Sequence, residues 1–306
     1  MVAANGGEPA DQCRLALEME EKNWDIAHAL ETRCNAVTGV EWEIIPGGDK
    51  PADKRAAEAF EAELKNTGSL DDELDSGNCL LADLMSALLP GFAVSEIVWQ
   101  GGGGIAGFSF IDQKHFTFRH GKRPRLVTRD SFDGIKLERN KFIIHKYRRR
   151  GGDVTRGGLI RPLAWLHCFQ NINVKDLLSF IERYGMPFVV AKVDNETWEK
   201  ERSVLQRLIR NFGPSGGGLF TRSTEFELLQ AANNTGDVYF KLLEYVGAAI
   251  TKVVLGQTAT AGDGGGWSKD GAQSQVRQDI LEADCGALAD TITMQLAAPW
   301  TMFNMP

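Results

Sequence analysis

The chain has 306 residues, 43% of them apolar, and a formal net charge of −7. That apolar share sustains a packed core and excludes a disordered chain. No apolar run reaches the length of a membrane span, and the start lacks the basic-then-apolar layout of a secretory signal, so the expectation is a soluble protein, cytoplasmic where it is made. The charge is strongly segregated. Residues 1–113 carry 7 basic and 21 acidic side chains, residues 114–161 carry 15 and 4, and residues 162–306 carry 12 and 16. A basic block inside an acidic chain points to nucleic acid or to an acidic neighbour in an assembly, against the plainer alternative of a solvated strand-and-loop region.

In chain order, residues 1–10 are small and Gly-rich and are expected to fray. From Asp11 to Thr38 apolar residues recur at helical steps (Leu15, Met19, Ile26, Leu30, Val37). Val40 to Ile45 alternates as a strand does, and Pro46-Gly47-Gly48 ends it. Helices are predicted over Ala52–Asn66 and Leu80–Leu89. Ala93–Gln100 and Ile105–Ile111 flank four glycines and read as a hairpin. His115–Arg119, Arg125–Thr128 and Lys141–Tyr147 read as further short strands. Arg148 to Gly158 (RRRGGDVTRGG) is a basic loop. A helix follows over Pro162–Tyr184, with proline in the first turn, where its missing N–H costs nothing. Then come a strand (Phe188–Val193), a helix (Glu196–Phe212), a second β segment (Leu219–Leu229) and a helix over Gly236–Leu255 with Thr235 as N-cap. Gly256–Gly271 is a long Gly/Ala/Ser/Thr loop. A last helix spans Ala272–Ala298, with Val276, Ile280, Leu288, Ile292 and Leu296 on one stripe.

Residues able to do chemistry are thin. The five cysteines are far apart with no CxxC pair, which predicts reduced thiols and no metal site. A nucleophile elbow, a phosphate-binding P-loop, an HExxH helix and an EF-hand loop are all absent. The glycines at 101–104 lead into a strand, whereas a dinucleotide site needs a helix N-terminus. The acidic run Leu70–Asp75 (LDDELD) reads as a solvated linker ahead of a cation site. The chain is therefore expected to be no enzyme and to need no cofactor.

The order of segments resembles a known family. Asp25, Arg33 and Trp42 are followed by PGFAVSEIVW (Pro90–Trp99) and a β segment ending in Phe116 and Phe118. Next come KFIIHKYRRRGGDVTRGGLIRPLAW (Lys141–Trp165), FIERYGMPFVVAKV (Phe180–Val193) and VVLGQTAT (Val253–Thr260). This series is similar to portal proteins of phage Mu and related prophages, from about residue 11 to 297. The resemblance implies an α+β portal fold, with residues 11–160 as wing, 161–187 as stem helix, 188–234 as an αβ clip and 235–255 as second stem helix. Residues 256–271 would be the tunnel loop, and 272–306 a long helix returning to the wing. Chains of the family usually run on with further wing and crown helices, so this one is expected to be shortened at its C-terminus.

The resemblance further implies a homo-oligomeric ring, typically of twelve subunits, at one vertex of the virion capsid and assembled in the host cytoplasm. The ring would conduct double-stranded DNA during packaging and ejection. The partners it implies are the terminase large subunit, the major capsid protein and head-completion or tail proteins. Contact with DNA would be weak and non-specific, since each phosphate contact adds to affinity and a gripping bore stalls transport. The DNA-facing loop residues would be Thr258, Thr260, Gly264, Gly265, Gly266, Trp267 and Lys269, with Trp267 favoured to pack back on a stem helix. Arg148, Arg149, Arg150 and Arg156 would contact a neighbouring subunit, at acidic residues such as Asp71, Asp72 and Glu73, or nucleic acid. Two rivals remain. One is a nucleic-acid-binding module using His120–Arg125 and the RRRGG segment, with Phe116, Phe118 and Tyr147 as a stacking platform. The other is a hydrolase built on His145 or His167.

Overall fold

The computed structural model describes residues 1–67, 79–184, 188–192, 202–203, 225–229, 235–257 and 267–305, with the side chains of 183–184, 188–192, 225–229, 235 and 267–274 left aside. The chain divides into two compact units. The first comprises Met1–His167 and Gly247–Pro306, the second Cys168–Val246.

The first unit begins with a short helix, α1 (Val2–Asn5). Contrary to the expected fraying, this terminus is packed. Ala4 is buried, its carbonyl accepts from the Thr155 hydroxyl at 2.8 Å, and the Phe118 N–H donates to Gly7 O. The helical pattern of 11–38 is two helices, α2 (Ala10–Lys22) and α3 (Trp24–Thr38). Asn23 divides them: its backbone is extended, and its side-chain oxygen accepts from the Ile26 N–H, capping α3. Met19, Ile26, Leu30 and Val37 face the core as their spacing requires. Residues 41–46 alternate exposed and half-buried, yet they pair with no described strand. Alternation alone does not make a strand when no edge receives it. α4 (Pro51–Thr67) and α5 (Leu80–Met85) follow, the latter continued by a 3-10 turn, Ser86–Leu88.

Two three-stranded antiparallel sheets form the centre. In the first, β1 (Phe92–Trp99) lies between β2 (Ile105–Ile111) and β6 (Phe142–Lys146). In the second, β4 (Arg125–Thr128) lies between β3 (Phe116–Thr117) and β5 (Ser131–Lys136). β5 lies where the sequence pattern marks no strand, because its SFDGIK run is broken by Gly134 and carries too few apolar residues to stand out. Phe92, Val94, Phe116 and Phe118 cluster with Cys13 and Val154, and the Phe92 and Phe118 rings meet edge to face at 4.9 Å. The loop after β6 closes on the 3-10 turn. A Cβ on Gly158 would sit 2.0 Å from Leu89 O, so only glycine allows the two backbones to meet there.

Three long helices follow: α6 (Ile160–Tyr184), α7 (Thr235–Leu255) and α8 (Trp267–Ile292). α8 starts earlier than expected, so helix takes over the last residues assigned to the loop. It runs into a π-helical stretch (Thr293–Ala297) and α9 (Ala298–Asn304), which absorbs the apolar tail. Trp300 is buried there against Phe60, and Phe303 meets Trp99. The π stretch carries Gln295 to the open edge of β6. Its Oε1 accepts from Ile144 N and its Nε2 donates to Ile144 O, both at 2.9 Å, so an amide side chain replaces a neighbouring strand. In the second unit the C-terminal part of α6 and the N-terminal part of α7 meet through Asn173 Nδ2, which donates to Tyr239 O, and through the Phe180 and Tyr239 rings. There β7 (Phe188–Lys192) pairs antiparallel with β8 (Glu225–Leu229). The helix predicted over 196–212 lies outside the described residues save 202–203, which are helical.

One side chain joins the helices of the first unit. Arg33 on α3 is buried and donates to both carboxylate oxygens of Asp284 on α8, at 2.7 and 2.9 Å. Its remaining nitrogen donates to Val254 O in the last turn of α7, at 2.8 Å, and its guanidinium lies 5.3 Å from the Tyr147 ring centroid. Burial alone would push the Arg33 pKa down; the Asp284 bond and Tyr147 more than offset it and hold it above the usual value. Nearby, His145 on β6 is buried with Nδ1 2.9 Å from the Thr291 hydroxyl. That hydroxyl gives its proton to Ala287 O, so the imidazole donates from Nδ1. Burial pushes the His145 pKa down to about 4, with Asp284 opposing.

Removing one member of a buried pair strands the other, at a cost of about 3–5 kcal/mol. Arg33→Met and Asp284→Leu are each expected to destabilise by that amount in urea unfolding. The double variant should recover much of the loss, and additive losses would contradict the pairing. His145 must ionise on unfolding below pH 6.5, so it takes up a proton on unfolding between pH 6.5 and 4. Its contribution to stability is full above pH 6.5 and falls by about 3 kcal/mol as pH drops to 4. Asp83, pushed up to about 6 by burial, acts in the opposite sense, favouring the fold as pH falls. The His145 contribution is therefore read as the difference between the wild-type and His145→Gln unfolding curves across that window; parallel curves would contradict it.

Candidate functional site

Two features of the first unit bear on function: the junction from which the glycine-rich loop departs, and the folded basic block. At the junction, α7 ends with Gly256 at φ +74°, and a Cβ there would meet Ile280 and Val276 of α8 at 2.8 and 2.9 Å. Gly256 closes the helix in a left-handed turn under α8, as glycine does at helix C-termini. Arg33 holds Val254 O, two residues earlier, and Asp284 on α8. The departure point of the loop and the α8 helix that follows it are thus fixed to one guanidinium. Thr258, Thr260, Gly264, Gly265 and Gly266 lie outside the described residues. Trp267 and Lys269 lie in the first turn of α8, with their side chains likewise outside.

The basic block folds into a surface with little internal compensation. Its short ion pairs are Lys114 with Asp112, Arg119 with Glu8 and Lys141 with Glu96. Among the described residues no carboxylate pairs with Lys122, Arg123, Arg125, Lys136, Arg139, Lys146, Arg148, Arg149, Arg150, Arg156 or Arg161. Arg148, Arg149 and Arg150 are exposed in the turn after β6, whereas Arg156 is half-buried in the 3-10 turn Val154–Arg156. The Nε atoms of Arg156 and Arg161 are buried with no hydrogen-bond partner, while Arg161 Nη2 donates to Asn5 Oδ1 at 2.6 Å. Burial, together with Arg156 and Arg150, pushes the Arg161 pKa down. Burial and the charges of Arg148, Arg123 and Lys122 do the same to Lys146, whose ammonium donates to Lys122 O. Arg148–Arg150 and Arg156 therefore belong to a larger set of like charges that includes Lys122, Lys146 and Arg161. Segregation along the sequence marked the block, but only folding shows which members crowd.

A cleft of about 460 Å3 opens beside this surface, between β6 and the β4–β5 hairpin. Basic side chains rim it (Arg123, Arg125, Lys136, Arg139) and Phe142, Ile144, Leu137 and Met294 line it.

The proposed stacking platform is not one. Phe116 and Phe118 are buried in the core, and Tyr147 lies under Arg33. A groove of about 580 Å3 opens beside His145 and is lined by Asp279 and Asp284; Asp284, the acid whose charge acts on His145, has both oxygens committed to Arg33. His167 Nδ1 is 3.1 Å from Asn23 Nδ2. Among the described residues no group of three or more His, Cys, Asp or Glu is arranged to hold a metal ion, and no helix is long and apolar enough to cross a membrane.

Comparison with known proteins accords with this geometry. Residues 13–306 match the family model described as the portal protein of Mu bacteriophage. The chain is 31% identical over 313 residues to the Mu-like prophage FluMu protein gp29 of Haemophilus influenzae, covering 99% of this chain and 59% of that protein. It is 30% identical over 309 residues to the portal protein of Escherichia phage Mu, covering 98% and 59%. The chain thus spans about three fifths of the length of these relatives. Among solved structures, a chain in the neck of an empty gene transfer agent particle computed with C6 symmetry matches with a TM-score of 0.60 at 11% identity, covering 92% of this chain and 82% of that one. A chain in the neck of the native particle computed with C12 symmetry matches with a TM-score of 0.58 at 10% identity, covering 93% and 82%. The chain shares the fold of these neck subunits, and it belongs to the family of Mu bacteriophage portal proteins.

Proposed function

We propose that this chain is a subunit of a portal ring at a capsid vertex, a conduit for double-stranded DNA in packaging and ejection and a connector between head and tail. Family membership supports the reading, and one structural observation carries it. The second unit leaves large apolar side chains in water on both its long helices: Ile172, Leu178 and Ile181 on α6, and Val238, Leu242 and Tyr245 on α7. Tyr245 is 70% exposed and Val238 63%. Val238, Leu242 and Tyr245 fall on one face of α7 at i, i+4 and i+7, and apolar side chains grouped in this way mark an association surface. In a ring each subunit offers one face to a different face of the next, so such residues are covered by rotation-related copies.

The parts follow the sequence reading. Residues 11–160 are the wing, in contact with the major capsid protein. α6 and α7 are the stem helices, residues 188–234 the clip that meets the terminase large subunit or head-completion and tail proteins, and the segment from Gly256 to the start of α8 the tunnel loop. α8 returns to the wing. DNA passes Thr258, Thr260, Gly264–Gly266, Trp267 and Lys269 through weak, non-specific contacts. This loop carries little charge, so little counterion release would hold the duplex in place. Twelve copies in the virion are the count the family resemblance favours. Arg148, Arg149, Arg150 and Arg156 lie on the surface offered to a neighbouring subunit.

Val238→Asp with Tyr245→Asp is expected to weaken self-association by about 2–4 kcal/mol per residue, because each places a charge in an interface that excludes water. Native mass spectrometry should show the oligomer replaced by monomer, with the helical circular dichroism unchanged. Reversing Arg148–Arg150 to Glu should shift the same equilibrium less, since exposed pairs act mainly on register. Oligomers of unchanged mass in both variants would contradict these contacts.

A further inference from the structure

The cleft between β6 and the β4–β5 hairpin is not accounted for by ring closure or by DNA passage. Its rim holds Arg123, Arg125, Lys136 and Arg139 against a single acid, Glu138, and none of the four cations has an ion-pair partner among the described residues. Its floor is apolar. Phe142 and Ile144 project from β6, and Met294, 76% exposed, stands beside them on the π stretch. Gln295 already satisfies the backbone of Ile144. The cleft therefore has no free strand edge to offer at that residue, and an occupant binds through side chains.

We propose that this cleft docks an acidic polypeptide segment carrying apolar anchors, and that in the assembled ring the occupant is Leu70–Asp75 of an adjacent copy. The source rests on the ring reading; the chemistry of the cleft does not. Two complementarities carry it. Carboxylates match a rim of unpaired guanidinium and ammonium groups, bidentate at arginine, and leucine side chains match the floor. Nucleic acid fits less well, because a phosphate backbone has nothing to place on Phe142, Ile144 and Met294. A concavity of about 460 Å3 also lies in the small-ligand range and takes a short stretch of chain rather than the face of a duplex. Leu70-Asp71-Asp72-Glu73-Leu74-Asp75 has this composition, with two leucines among four carboxylates. Within one copy it follows Thr67, whose hydroxyl lies 3.4 Å from Ile105 O on β2, the edge of the sheet opposite β6. A neighbouring copy is under no such tether. The turn Arg148–Arg150, set against these acids by charge alone, is exposed and is not among the residues that line this floor.

The test uses the full chain with its own segment neutralised (Asp71→Asn, Asp72→Asn, Glu73→Gln, Asp75→Asn) and a fluorescein-labelled peptide of sequence GSLDDELDSGN. Fluorescence anisotropy should show saturable binding that weakens with salt. Binding should weaken at least tenfold in Arg123→Glu with Arg139→Glu, and also in Lys136→Glu and Met294→Asp, with circular dichroism confirming that each variant is folded. A peptide with both leucines changed to serine should bind at least fivefold more weakly. Absence of binding, indifference to the cleft variants, or a single-stranded oligonucleotide that displaces the peptide and is lost in the same variants would overturn the proposal. Within assembled rings, wild-type chains should bind far less peptide than neutralised ones; equal binding would overturn the adjacent copy as occupant. Peptide captured by a chain that stays monomeric upholds the cleft and counts against the ring.

Discussion

The first unit depends on a single buried guanidinium. Arg33 spends its donors on Asp284 of α8 and the last turn of α7, with Tyr147 against its face. A lone buried charge is costly, but here the carboxylate is bidentate and a helix C-terminal carbonyl, itself at the negative end of the helix dipole, takes another N–H. The result is directional in a way that apolar packing is not. α3, α7 and α8 must arrive in one relative register for all three acceptors to be met. In a protein whose α7 and α8 are joined by a glycine-rich segment, that register sets where the segment leaves one helix and where the next begins.

The charge distribution has the opposite character, because the single chain leaves it unresolved. Burial and the charges of Arg148, Arg123 and Lys122 lower the affinity of Lys146 for its proton, burial and the charges of Arg156 and Arg150 lower that of Arg161, and the acids of residues 1–113 are not brought to them among the described residues. Apolar residues on α6 and α7 are likewise left in water. A monomer that is internally well satisfied at Arg33 and poorly satisfied on its surface suits the proposed ring, in which rotation-related copies would supply the missing partners.

Local order was largely legible from the sequence. Met19, Ile26, Leu30 and Val37 are buried as their spacing required, and the hairpin around Gly101–Gly104 forms with both arms where alternation placed them. What could not be read depended on partners distant in the chain. Residues 41–46 alternate correctly but find no edge, so they form no strand. The stripe of the last helix reads as purely apolar, and its Leu288 and Leu296 are buried, yet Asp284, which falls on the stripe between Ile280 and Leu288, is buried as well, because it meets Arg33, 251 residues away in sequence. Gln295 reads as an ordinary surface glutamine until the π stretch turns it against β6. The basic block was visible as composition, but the cleft requires β6, the β4–β5 hairpin and Met294 to be brought together. The division at Asn23 carried a usable signal, an asparagine three residues before the isoleucine whose N–H it caps, between two apolar stripes.

The central claim is that copies of this chain close around a channel. Electron microscopy of the purified protein with two-dimensional class averaging tests it most directly. The account predicts end-on views of closed rings with a stain-filled central hole, and side views in which a narrow stem extends from a broader wing. Uniform particles of single-subunit size with no hole, at protein concentrations where relatives of the family assemble, would contradict it.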